Sequence, residues 1–63
     1  MTQKELLYVE DAIGHEKNII SICNETVNML EEDDLVSFME KEIKKHESIL
    51  NKLNNLLEDK KNE

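Results

Sequence analysis

Along the first half of the chain Leu6, Val9, Ile13, Glu16, Ile20, Cys23, Val27 and Leu30 recur at alternating steps of three and four residues. At about 3.6 residues per turn this spacing brings each side chain back to one line of a helix, the seam of a coiled-coil-like rod. Glu16 alone interrupts its apolar character. Thr2 and Glu5 have the Thr-x-x-Glu spacing of a capping box, and Met1 and Leu6 stand where a hydrophobic staple closes, so the helix is expected to start at about residue 3. Glu31, Glu32, Asp33 and Asp34 then place four carboxylates in a row. Acids are unfavourable at the negative end of one helix and favourable at the positive end of the next. The pattern predicts helix 1 over about 3–30 and an acidic turn at 31–34, with Asp33 or Asp34 as N-cap of a second helix.

The second half repeats the pattern with Leu35, Met39, Glu42, His46, Ile49, Leu53 and Leu56, while Val36, Ile43, Leu50 and Leu57 widen the stripe. Helix 2 is expected over about 35–58, and residues 59–63, which carry no apolar periodicity, as a frayed tail. Two rods joined by a short turn fold back on each other, so the predicted fold is all-α, a single antiparallel helical hairpin over 1–63. Each rod is apolar over more than one seam. Helix 1 adds Ala12 and Ile19 on one flank, with Tyr8, Ile22 and Met29 beyond them; these, like Phe38 and Met39, read as packing residues. One partner helix cannot cover both stripes, and a chain this short seldom supplies more than about 3–5 kcal/mol alone. The expected solution is a homodimer, two hairpins closing an antiparallel four-helix bundle.

Composition narrows the function. Fifteen acids against eight bases leave a formal charge of −7, which repels nucleic-acid phosphates and anionic lipid, and no basic patch offsets it. The longest nearly apolar stretch, residues 19–23, is too short to span a bilayer, and no cationic start with an apolar core opens the chain. The expectation is a cytoplasmic protein with neither nucleic acid nor membrane as partner. Cys23 has no second cysteine to pair with, which suits a reducing compartment.

The informative anomaly is that Glu16, Glu42 and His46 occupy seam positions otherwise filled by Ile, Leu, Val and Met. Burying charge without compensation is costly. With a turn centred near 32 and 33, Cys23 lies level with Glu42, and Glu16 lies about one helical turn from His46. Two readings of this layer stay open. In one, the three groups bond to each other and fix the register of the bundle. In the other, they hold a divalent metal such as Fe, Mn or Zn, with Cys23 as a weaker additional ligand; Glu42 and His46, four apart, project from one face of helix 2. Nucleophile–base order, phosphate-cradling glycines and a Cys-x-x-Cys motif do not occur, and a lone hairpin has no cleft, so no enzyme is expected, a di-metal oxidase being the remaining catalytic option. Gly14 sits mid-helix, as a site of close backbone approach or of neutral drift.

Four Glu and two His in the centre of a doubled hairpin resemble the ligand set of ferritin-like proteins, in which one helix gives a Glu and the next a Glu-x-x-His pair. Here the pair is Glu42-x-x-x-His46, one residue longer, and the residue three before His46 is Ile43. The opening residues 4–17, Lys-Glu-Leu-Leu-Tyr-Val-Glu-Asp-Ala-Ile-Gly-His-Glu-Lys, resemble the start of the spore coat protein F family, and the similarity continues through Glu42 to Leu57. That resemblance implies a ferritin-like half-bundle with a structural, spore-associated role. A further reading is a small regulatory hairpin that inhibits a protein partner through an acidic helix face.

Overall fold

A computed structural model describes residues 1–61 of the 63. Two helices account for nearly all of them: α1, Gln3–Val27, and α2, Asp33–Lys61. They lie side by side as an antiparallel hairpin, 47 × 15 × 10 Å in Cα extent, with no strand among the described residues.

Helix α1 begins as its sequence dictates. Thr2 is extended (φ −73°, ψ 163°), its hydroxyl accepts the Glu5 N–H at 3.0 Å, and its own N–H donates to Glu5 Oε1 at 2.8 Å. Two otherwise orphaned helix-start donors are thereby satisfied.

The turn falls earlier than expected. Helix α1 ends at Val27, not near 30, and the connection spans residues 28–32, not 31–34. The Thr26 hydroxyl donates back to the Ile22 carbonyl at 2.8 Å, a bond that loosens a helix locally. The ladder then tightens: Met29 N–H reaches the Thr26 carbonyl at 2.9 Å and Leu30 N–H the Val27 carbonyl at 3.4 Å. Helix α2 starts at Asp33, two residues before the expected 35. The Glu32 carbonyl accepts the first helical bond, from Val36 N–H at 3.0 Å, so Glu32 takes the cap position and Asp33 and Asp34 enter the first turn. The carboxylates gather at the positive end of α2 and leave the negative end of α1 behind. At the far end the expected fraying from residue 59 is corrected too. The helix runs through Lys61, with Lys60 and Lys61 at its negative terminus, while Asn62 and Glu63 lie outside the described residues.

The seam of α1 is the inner face of the hairpin: Leu6, Val9, Glu16, Ile20, Cys23 and Val27 are half-buried and Ile13 is buried. On α2 the predicted line is half-buried at Met39, Glu42, His46, Ile49 and Leu53 but not at its two ends, where Leu35 and Leu56 are exposed; Val36, Ile43, Leu50 and Leu57, expected to widen the stripe, are half-buried beside it. Ile13, at 8% exposure, is the one buried apolar residue among those described. A two-helix layer encloses almost nothing.

Candidate functional site

The polar layer assembles near the middle of the hairpin. Glu16 comes from the centre of α1; Glu42 and His46 come from successive turns of α2. His46 Nδ1 lies 2.6 Å from Glu16 Oε2, and His46 Nε2 lies 3.9 Å from Glu42 Oε2. The contact between Glu16 and His46 is direct, not one turn apart as expected. The cause is the early turn, which slides the two helices into a closer register. Side-chain exposure falls from Glu42 at 33% through His46 at 20% to Glu16 at 16%. The layer is half-buried, and no buried side-chain nitrogen or oxygen among the described residues lacks a hydrogen-bond partner.

This geometry satisfies an imidazole; it does not cage an ion. The two carboxylates approach opposite nitrogens of one ring, so the donors diverge around His46, and a ring bound through one nitrogen leaves the other carboxylate on its far side. Among the described residues no group of three or more His, Cys, Asp and Glu side chains is disposed to hold a metal ion. Cys23 is a free, half-buried thiol on the α1 seam. Glu16, Glu42 and His46 therefore meet as the sequence suggested, in an arrangement that does not fit a divalent metal within one hairpin.

Tyr8 and Met29, on the stripe that one partner helix was expected not to cover, are exposed in the single hairpin, Met29 by 79%, and so is Phe38; Met39 is half-buried. Their placement is not scattered. At the open end of the hairpin a shallow concavity is lined by Met1, Glu5, Tyr8, Val9, Leu56 and Lys60, which puts the outer flanks of both helices on one side of the molecule. Counting around each helix at about 3.6 residues per turn from Tyr8 and Leu56, the same side carries His15 and Ile22 from α1 and Leu35, Phe38 and Lys45 from α2, while exposed Met29 lies in the connection beyond α1. The opposite side is polar, with Asn24, Glu40, Lys44 and Glu47 around Val27 and Ile43. One broad face of the hairpin thus carries most of the exposed apolar side chains, interrupted near its middle by His15 and Lys45. Leu7 is the exception, exposed elsewhere. The signal was present in the sequence as the second stripe; what it did not reveal was that both second stripes share a side.

No helix among the described residues is long and apolar enough to cross a membrane. Comparison with protein-family models, curated proteins and solved structures returned no match.

Proposed function

We propose that this chain is a structural, self-associating protein: two hairpins pair through their apolar faces into an antiparallel four-helix bundle, with Glu16, His46 and Glu42 as a polar layer that fixes register. The observation that carries this reading is the imbalance, among the described residues, between one buried apolar residue and several large exposed ones gathered on one side of the hairpin. Patches of that extent on soluble proteins mark interaction sites. A face of 47 by 15 Å amounts to roughly 700 Å² per subunit, close to the ~800 Å² per partner of a standard interface. The bundle is cytoplasmic in this reading. The likeness of residues 4–17 to the spore coat protein F family supports a coat-associated, ferritin-like scaffold as its setting.

Sedimentation equilibrium at micromolar concentration tests the proposal. The expected species has twice the 7.4 kDa chain mass. A folded 7.4 kDa monomer under those conditions would refute it and favour a partner of different sequence. The role of the polar layer has its own test. Replacing Glu16, Glu42 and His46 together by Leu is expected to raise the melting temperature while the bundle loses its single register, seen as a mixture of oligomers, because a paired polar cluster contributes specificity more than stability. Marked destabilisation of the triple variant would contradict it.

A further inference from the structure

We infer that the two hairpins stack with their turns at opposite ends, so that the Met29–Leu35 end of one copy fills the open-end concavity of the other and Glu42 pairs with the partner's Lys52. This rests on the self-association proposed above and adds its geometry. Face-to-face pairing by a twofold axis lying in the interface allows two arrangements. With the axis along the hairpin, both turns lie at one end and α1 covers the partner's α2. With the axis across the hairpin, the turns lie at opposite ends, α1 covers the partner's α1, and α2 the partner's α2. Both make antiparallel neighbours, so helix packing alone does not choose. Shape and charge do.

Full overlap of the apolar faces puts the helix midpoints, His15 in α1 and Glu47 in α2, on the transverse axis. Counting outward from them, Met1 is level with the partner's Met29, Tyr8 with the partner's Ile22, and Phe38 with the partner's Leu56. The concavity lined by Met1, Tyr8 and Leu56 then receives the most exposed apolar side chain of the molecule, Met29. In the other arrangement two concavities face each other and neither is filled. Charge points the same way. Glu42 is the most exposed member of the polar layer and borders the apolar face, and exposed Lys52 lies on the same flank of α2. The transverse axis sets them level with each other in two symmetric pairs. With the axis along the hairpin, the Glu16–His46 register instead brings Glu42 level with the partner's Ile20, a carboxylate against an alkyl group. That arrangement also sets two runs of four exposed carboxylates, Glu31 to Asp34, side by side; the transverse one separates them by the 47 Å length of the molecule. Its costs are that Lys41 approaches the partner's Lys52, on a rim where solvent screens like charges, and that exposed Lys45 comes level with the partner's Ile49.

Two probes in a Cys23→Ser background decide the matter. His15→Cys is expected to form an intersubunit disulfide on mild oxidation, because position 15 meets its own copy on the axis. Spin labels on Glu31→Cys are expected about one hairpin length, 47 Å, apart by double electron–electron resonance. A dimer whose turn labels lie within about 20 Å, two interhelical spacings, would overturn the arrangement and leave self-association standing. A monomer in the same samples would overturn self-association itself. Glu42→Lys is expected to weaken the dimer several-fold, and Glu42→Lys with Lys52→Glu to recover it; no recovery would remove the Glu42–Lys52 pair.

Discussion

Thr2 and Glu5 show how far a pair of residues can be read without a fold. Their spacing alone identified the cap, and both reciprocal hydrogen bonds are present. The bonds from the Thr2 backbone and side chain hold the Glu5 carboxyl below its ordinary value, with the N-terminal amine and Lys60 adding to the effect against a small opposing desolvation. A carboxylate with a lowered folded-state value contributes stability above its unfolded value and loses it as pH falls through the folded one. Helicity at the amino end is therefore expected to be full at neutral pH and to decline on acidification through the carboxylate range. Glu5→Gln should remove that step from a circular-dichroism titration, whereas Thr2→Ala, which keeps the backbone N–H to Glu5, should only reduce it and cost about 1 kcal/mol of stability at neutral pH. Gly14 is the opposite case, since sequence left its role open between close approach and drift. A Cβ placed there meets nothing within 4 Å, and its φ is not positive. Gly14→Ala is expected to stabilise by about 1 kcal/mol, measured as a raised melting temperature with an unchanged dimer constant.

At the scale of the helix, the periodic seam of α1 was legible because a coiled-coil pattern specifies which line of side chains turns inward. On α2 the line was legible from Met39 to Leu53 but not at its ends. Its apolar stripe is wide, running from Leu35 and Leu56 across to Val36 and Ile43, and a wide stripe fits several rotations about the helix axis. Contact with α1 chose one of them, leaving Leu35 and Leu56 in water. The boundaries near the turn were misread for a related reason. Four acids in a row mark a helix terminus, but whether they close α1 or open α2 depends on where α1 gives out, and that is set by the Thr26 back-bond and the tightened bonds behind it. Ile13 is the element's single anchor. Ile13→Ala is expected to cost about 2–4 kcal/mol, as deletion of a buried aliphatic side chain does, and with so small a core that is a large share of the total. Chemical denaturation monitored by circular dichroism checks it; a loss under about 1 kcal/mol would show that Ile13 is not the anchor.

For the whole molecule the decisive quantity is how little the hairpin buries. Phe38→Glu places a charge on the apolar face, facing the partner's Leu56 in the proposed dimer, and is expected to shift the protein to monomer and lower its melting temperature. The wild type should show a melting temperature that rises with concentration, as mass action requires of an obligate pair. Addition of Fe²⁺, Mn²⁺ or Zn²⁺ is expected to leave that temperature unchanged, because the carboxylates around His46 diverge; a rise at stoichiometric metal would reinstate the metal reading of Glu16, Glu42 and His46.

Heptad spacing, the capping box and the acidic run settled by themselves that there are two helices, that they run antiparallel, and that Glu16, Glu42 and His46 belong to one layer, since each follows from local periodicity and chain connectivity. Which ring nitrogen meets which carboxylate, which residues turn inward at the ends of the α2 line, and that the leftover apolar stripes share one side were decided only when the helices packed. A rotation of a fraction of a turn or a slide of a few residues barely alters the local energy of either rod, while it changes every contact between them.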